Sequence, residues 1–482
     1  MSHPYIPNAV PAVKAAMLEA IGLSSTEELY RAIPAALRMD RPLDLPAPAR
    51  SEAELLRHVR GILARNVSTQ DTLSFLGGGT FPHHVPAVVD EVINRGEFLT
   101  AYAGEPYEDH GRFQALFEYC SQMAELLELD VVNVPVYDGF QAAATALRMT
   151  GRLTGRRRVV AVGAIGADMR SRIDDYIAGA LHIDAIPTAP TGSIDLAAVR
   201  AAADGDTAAI YVETPDYHGV LHTEIAELAE IAHAAGAELV VSCDPISLGV
   251  VASPATLGAD IVCGDIQSLG VHQWFGGGHG GYIAVRDDPR YIMELPSRLF
   301  GIAATTVPGE YGFGDVAYER TSFAVREEGK EWVGTAAALW GIAAAVYLSL
   351  MGPAGMSEVG DTILAHTRYA IKGLAGVPGL AVPSESAPHF REFVIDVSET
   401  GRNTTEWLAA GRSVGMEPGI ALDNARLLVC GTEIHSKADI DRLIELFAAP
   451  PHPARHGSTA TVAAEPVAAV ATAAATTEGS AR

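Results

Sequence analysis

Between residues 130 and 285 the chain alternates short apolar, β-branched runs with longer stretches of helical period. Arg158–Val162, Thr207–Glu213, Glu238–Ser242, Asp260–Gly264 and Gly281–Val285 read as strands. Between the second and third of these, Glu224–Ala235 repeats its apolar residues at helical spacing and stops at Gly236, a residue suited to the left-handed turn that ends a helix. Several runs are apolar at consecutive positions rather than at every second one, so both faces of the sheet are expected to be covered. Strand, helix, strand in this rhythm predicts an α/β fold with a mostly parallel sheet.

The flanks differ. Met17 to Val67 reads as helices, with Ser24-Ser25-Thr26-Glu27-Glu28 as a helix start and a proline-rich connection from Pro42 to Pro48. Val333–Met351 is 19 residues without a charge. Its length approaches that of a bilayer span, but its Ala and Gly content and the stop at Gly352-Pro353 favour a helix buried in the protein. A break rich in Gly, Pro and aromatic residues runs from Phe300 to Tyr318. The expected organisation is an N-terminal helical arm (1–70), a large α/β domain (71–310), a smaller α+β domain (311–449) and an Ala-rich, disordered tail (450–482).

Charge and cysteine content narrow the function. A formal net charge of −25 gives a long-range field of the wrong sign for nucleic acid or an anionic membrane. The four cysteines, Cys120, Cys243, Cys263 and Cys430, form no CxxC pair and have no histidine at metal-ligand spacing. Reduced thiols, no metal and a cytoplasmic location are expected. No basic start followed by an apolar stretch opens the chain, so no signal peptide is predicted.

Ligands of open α/β sheets bind beyond the carboxyl ends of the strands. Four such places carry candidate chemistry: Glu213-Thr214-Pro215-Asp216-Tyr217-His218-Gly219, Cys243-Asp244-Pro245, Asp265-Ile266-Gln267-Ser268, and Tyr137-Asp138-Gly139 before a helix start. Asp244 follows an apolar strand, where a partner for a pyridine nitrogen would sit; a helix cap is the alternative. The run Phe275-Gly276-Gly277-Gly278-His279-Gly280-Gly281 could let backbone N–H groups approach a phosphate, or could mark a tight backbone crossing. It leads into a strand, so it is not a dinucleotide fingerprint. His218, His272 and His279 are candidate acid–base groups or structural histidines. The pattern thus suggests a pyridoxal-phosphate enzyme, yet lysine occurs only as Lys14, Lys330, Lys372 and Lys437, and none follows a sheet strand. Lys330 is either a solvated charge within Glu327–Glu331 or an anion contact at a subunit interface.

Together these motifs resemble a known family, the first subunit of the two-chain glycine dehydrogenase (decarboxylating), the P-protein of the glycine cleavage system. The resemblance covers roughly residues 1–447. It rests on Phe75-Leu76-Gly77-Gly78-Gly79 with His83-His84-Val85-Pro86, on Gly96-Glu97-Phe98-Leu99-Thr100-Ala101-Tyr102, and on Gln114-Ala115-Leu116-Phe117-Glu118-Tyr119. It continues through Tyr137-Asp138-Gly139, Asp244-Pro245-Ile246-Ser247-Leu248-Gly249, Gly264-Asp265-Ile266-Gln267-Ser268-Leu269-Gly270, Phe275-Gly276-Gly277 and Leu295-Pro296-Ser297-Arg298-Leu299.

The resemblance implies an aspartate-aminotransferase-like fold (pyridoxal-phosphate transferase fold type I) and a related second subunit that carries the pyridoxal lysine. Ser268 of Gln267-Ser268-Leu269 then stands where that partner has its lysine. It also implies that the paired subunits bind glycine as an external aldimine, release CO2 and pass the aminomethyl group to the lipoyl arm of the carrier H-protein. Under this reading Tyr137, Asp138, Gly139, Asp244, Gln267, Ser268, Gly276, Gly277 and Lys330 are candidates for the cofactor pocket. Tyr102, His110, His218, His272 and His279 are candidates for substrate or interface contacts. Pyridoxal phosphate is expected to be held covalently by the partner. The alternatives are a non-catalytic scaffold or regulatory subunit, and a diverged enzyme of the same fold acting on another amino acid.

Overall fold

A computed structural model describes residues 10–41, 43–49, 51–69, 71–98, 110–331, 333 and 336–449. The expected tail and Tyr102 lie outside the described residues. The chain divides into two compact units, Met1–Val67 and Ser68–Arg482. The first holds helices Pro11–Ala20 and Glu52–Leu63 and two short 3-10 turns; Ser51 caps the second helix through the Glu54 N–H. The helix Glu52–Leu63 lies within the stretch Met17–Val67 that the sequence marks as helical, whereas Pro11–Ala20 overlaps only its first residues and the Ser24–Glu28 start opens a 3-10 turn rather than an α-helix.

The second unit is built on a seven-stranded sheet. Its strands are β1 (Val131–Val132), β2 (Arg158–Val162), β3 (His182–Ile186), β4 (Thr207–Thr214), β5 (Glu238–Cys243), β6 (Ile261–Asp265) and β7 (Gly281–Val285). They lie in the order β1-β7-β6-β5-β4-β2-β3. β7 is antiparallel to both neighbours and the remaining pairs are parallel.

Alternate side chains of each central strand enter separate cores, because successive strand residues point to opposite faces. Val160, Ile210, Val212, Leu239, Val241 and Val262 belong to one core. Val159, Ala161, Tyr211, Val240, Ile261 and Cys263 belong to the other. This double coverage explains why these segments read as continuous apolar runs. β3 escapes the sequence pattern because it is the edge strand: His182, Asp184 and Ala185 are exposed, and a charged edge blocks further pairing.

The uncharged stretch becomes the first part of a helix spanning Ala338–Ala375, which breaks at Gly352 (φ 57°) and restarts through Pro353. Ala343, Ala344, Tyr347 and Leu348 pack into the first core, as expected of a buried helix. A hairpin, Phe300–Ala304 with Tyr311–Asp315, occupies the region rich in Gly, Pro and aromatic residues.

A three-stranded antiparallel sheet follows, with Arg426–Cys430 between Glu392–Asp396 and Ile420–Ala421. Helices Thr404–Ser413 and Lys437–Ala448 each begin with a reciprocal capping box, Asn403 with Glu406 and Ser436 with Asp439. They cover a core of Trp407, Phe393, Ile395, Leu427, Val429, Leu443 and Phe447. Phe75 joins this core from the strand Leu73–Ser74, which pairs in parallel with Met416–Glu417. The segment that follows, residues 76–84, thereby runs beside both sheets.

The two sheets are registered by a backbone crossing. Gly219, in the loop after β4, has φ +81°, and a Cβ there would lie 1.8 Å from the Glu392 carbonyl oxygen. The Phe390 N–H donates to the Gly219 carbonyl at 2.9 Å, and Leu221 N–H donates to that of Pro388 at 2.9 Å. Gly155, the left-handed cap of the helix Gly139–Thr154, has φ +69° but open space around it. Gly219→Ala is therefore expected to destabilise the chain by about 3 kcal/mol, against about 1 kcal/mol for Gly155→Ala, which incurs only backbone strain. Urea denaturation of both variants checks this; equal losses would contradict the crossing.

Candidate functional site

The carboxyl ends of β2, β4, β5 and β6 open onto one cleft of about 560 Å³. Asp138-Gly139 closes it from the helix start, Thr80-Phe81 from the N-terminal side, and Arg391-Glu392 from the three-stranded sheet. Strand polarity puts these ends together: the first residue after each parallel strand emerges on the same edge.

Asp244 lines the cleft, and each of its carboxylate oxygens has a partner in a hydrogen bond or an ion pair. Oδ1 accepts from Ser268 Oγ at 3.0 Å and from the Ile246 N–H at 3.0 Å, while Oδ2 forms an ion pair with Arg391. Arg391 is 2% exposed and adopts a left-handed backbone (φ 67°). Its guanidinium carbon lies 3.4 Å from the centre of the Phe81 ring, and Nη1 donates to His83 Nε2 at 2.9 Å. In that tautomer His83 Nδ1 donates to Glu433 Oε2 at 2.7 Å, and the His84 N–H donates to Glu433 Oε1 at 2.7 Å. Burial would raise Glu433, but the His83 ring and the His84 N–H hold its carboxyl down at about 2. Ser268, Asp244, Arg391, His83 and Glu433 thus form one continuous polar chain from the large sheet to the small one.

A second cluster surrounds Asp265 at the end of β6. Its Oδ2 accepts from the Gly139 N–H at 2.7 Å and pairs with His279 Nδ1 at 3.0 Å; Oδ1 accepts from the Gln267 N–H at 2.8 Å. His279 Nε2 meets Thr80 Oγ1 at 3.1 Å. Burial would lower the His279 pKa, yet Asp265 outweighs it and the net direction is upward. Gln267 is spent on backbone: Oε1 accepts from Phe81 N–H, and Nε2 donates to the Phe81 and Val271 carbonyls. Asp138 caps the following helix through the Gln141 N–H, and burial raises its pKa.

The remaining wall is acidic. Burial pushes Glu213 up to about 7 despite the hydrogen bond that Tyr211 donates to it. Burial likewise pushes Glu392 up to about 7, against the opposing pull of Arg391 and of the Gly78 N–H that donates to Oε1 at 2.7 Å. Asp216 accepts from the His218 and Val220 N–H groups and braces the loop after β4.

These residues do not fit pyridoxal phosphate. The pyridine-nitrogen partner is already neutralised by Arg391, and none of the four lysines lines the cleft. Seven carboxylates face two guanidinium groups, those of Arg172 and Arg391, across the lining. A phosphate dianion would meet net negative charge there, at short range and partly out of water.

Of the residues singled out in the sequence, Asp138, Gly139, Asp244, Gln267, Ser268, Gly276 and His279 line the cleft. Tyr137 is exposed, Gly277 is not part of the lining, and His218 is half-buried beside it with a pKa lowered by burial. His272 pairs with Asp90 at 2.9 Å, away from the lining. Lys330 is half-buried with its N–H 3.4 Å from Ser322 Oγ and is also not part of the lining. His110 begins the helix His110–Leu127. Arg391, Glu392, Phe81 and Glu433 are additional site residues. The charged pair Arg391-Glu392, standing immediately before the apolar run Phe393–Ile395, is the one local signal for any of them.

Glu392 gives a pH test. Its folded pKa of about 7 lies above the ordinary 4.5. Between those values the folded state binds more protons than the unfolded one, so its contribution declines as pH rises through the window. Glu392→Gln imitates the protonated form. The stability advantage of this variant over the parent should grow by about 2–3 kcal/mol between about pH 5 and pH 8, read from urea midpoints at each pH. A constant difference would show that Glu392 is not held protonated.

The comparisons with known proteins agree with this architecture. The family model of the glycine cleavage system P-protein matches residues 3–447. A protein named probable glycine dehydrogenase (decarboxylating) subunit 1 from Aeropyrum pernix is 36% identical over 464 residues, covering 93% of this chain and 99% of its own. One of the same name from Sorangium cellulosum is 35% identical over 451 residues, covering 91% and 98%. Among solved structures, an inhibitor-bound glycine decarboxylase (P-protein) of the glycine cleavage system superposes with a TM-score of 0.80 at 31% identity, over 93% of this chain and 99% of that one. A sphingosine-1-phosphate lyase from Burkholderia pseudomallei, at 16% identity and a TM-score of 0.61 over 86% and 94% of the two chains, shares the fold. The expected fold type I is thus the observed one, and with a matching family model over nearly its whole described length the chain belongs to the glycine cleavage system P-protein family.

Proposed function

We propose that this chain is the lysine-lacking subunit of a cytoplasmic glycine-decarboxylating complex, active only with a homologous subunit that holds pyridoxal phosphate on its own lysine. The overall reaction releases the glycine carboxylate as CO2. The aminomethyl group bonds to one sulfur of the lipoyl disulfide on H-protein while the other sulfur becomes a thiol. The cofactor, on the partner, supplies the electron sink for loss of CO2.

One observation carries this reading: the Asp244 carboxylate is closed off by Arg391, in a cleft without lysine. The relatives' names and the P-protein superposition support glycine as the substrate of the assembled enzyme. In this account the chain's own cleft residues hold structure rather than perform chemistry. Arg391, His83 and Glu433 clamp the two sheets, and Asp265 fixes the helix start at Gly139 and the His279 loop. The chain then presents a rigid surface to the partner.

The test is exchange of labelled bicarbonate into the glycine carboxyl group with lipoylated H-protein present. Neither this chain alone nor the lysine-bearing subunit alone should exchange label above background, and the mixture should. Exchange by this chain alone would contradict the proposal. A stable mixture that exchanges nothing would favour the scaffold reading or another amino acid.

A further inference from the structure

Three side chains of the cleft stand in a row that the glycine reaction leaves unused. Asp265 Oδ2 pairs with His279 Nδ1 at 3.0 Å, and His279 Nε2 meets Thr80 Oγ1 at 3.1 Å. A carboxylate only accepts, so it draws the proton of the neutral imidazole to Nδ1 and leaves Nε2 to accept from the Thr80 hydroxyl. This is the arrangement of a hydroxyl nucleophile, its base and the group that orients the base. All three residues line the cleft of about 560 Å³. The Thr80 hydroxyl has no other partner among the described residues. Nor do the backbone N–H groups of Gly79 and Thr80 donate to any acceptor among them, and a Cβ at Gly79 would meet nothing within 4 Å. Two free N–H groups beside a nucleophile are what a developing oxyanion requires.

From this geometry we propose that Thr80 is an acylation site, a nucleophile activated by His279 that takes the acyl group of a small ester or thioester. The inference goes beyond the proposed function, which gives these residues no part in the glycine chemistry. Thr80 Oγ bonds to the acyl carbon and its proton passes to His279 Nε2. The bond from that carbon to the leaving oxygen or sulfur then breaks, and the leaving group carries the proton away from Nε2. The product is an acyl ester of Thr80 held in the cleft. Asp265 is a positioning residue: it acts through His279 by fixing the tautomer and the ring. Charge selects the electrophile. Seven carboxylates in the lining oppose an anionic donor such as a phosphoryl group, whereas a neutral carbonyl meets no such repulsion. Phe140, Met169 and Pro215 supply apolar lining for the acyl chain.

The experiment treats the full chain with p-nitrophenyl acetate, follows the first release of nitrophenolate and locates the acetyl group by peptide mass spectrometry. The acetyl group should sit on Thr80. Thr80→Ser should still be acetylated at that position and Thr80→Val should not. His279→Gln should react at least about 100-fold more slowly, the scale of a positioned base, while His272→Gln, away from the lining, should react like the parent. Burial and Arg172 pull the His279 pKa down, Asp265 and Asp138 push it up, and the net direction is upward. The imidazole is a base only above that pKa, so the acetylation rate should rise with pH through it. Asp265→Asn should move the rise to lower pH, and an unmoved profile would overturn the role given to Asp265. Calorimetry of each variant checks folding; where one melts below the parent, the position of the acetyl group in the parent decides. Acetylation of other residues with Thr80 unmodified overturns the proposal, as does an undiminished rate in His279→Gln.

Discussion

The buried ion pair between Arg391 and Asp244 is the constraint on which the cleft depends. It joins two sheets that share no strand, and it places a guanidinium where the charge pattern of the cleft demands a cation. Breaking such a pair leaves an uncompensated buried charge and typically costs about 3–5 kcal/mol, so neither residue changes alone without consequence. The pair requires the Gly219 crossing, which brings the Glu392 strand against the loop after β4. It also requires the segment leading from Phe75, which delivers Phe81 to stack on the guanidinium and His83 to continue the chain to Glu433.

The functional consequence follows from charge balance. A fold type I active site needs a free carboxylate for a pyridinium, a lysine for the aldehyde and a positive or neutral cradle for phosphate. This cleft has the carboxylate, already paired, and an acidic wall in which burial raises Glu213 and Glu392 to about 7. The architecture of the enzyme is retained while the Asp244 carboxylate is neutralised from within the chain by Arg391. A cleft of this kind suits a rigid partner in a shared assembly better than a site that must exchange ligands.

The fold was readable where local pattern and tertiary environment coincide. The five strands read from residues 158–285 are apolar because both faces are covered, and the structure reproduces each to within one residue at either end. The edge strand His182–Ile186 was not readable, since solvent on its outer side breaks the apolar run. Asp244, Gln267, Ser268 and His279 could be placed in the cleft because strand polarity sends every strand end to one edge. Arg391 and Glu433 could not, because they arrive from a separate sheet more than a hundred residues further along, and their meeting with Asp244 and His83 is purely tertiary. Lys330 stands isolated in the sequence between Lys14 and Lys372, a property that carries no spatial information.

The most direct test of the account is to locate the cofactor in the assembled complex. The two subunits are mixed with pyridoxal phosphate, reduced with borohydride and digested, and the phosphopyridoxyl-lysine peptide is identified by mass spectrometry. The account predicts the modification on the partner subunit alone, with Lys14, Lys330, Lys372 and Lys437 of this chain unmodified. Stoichiometric phosphopyridoxylation of any of those four lysines would contradict it.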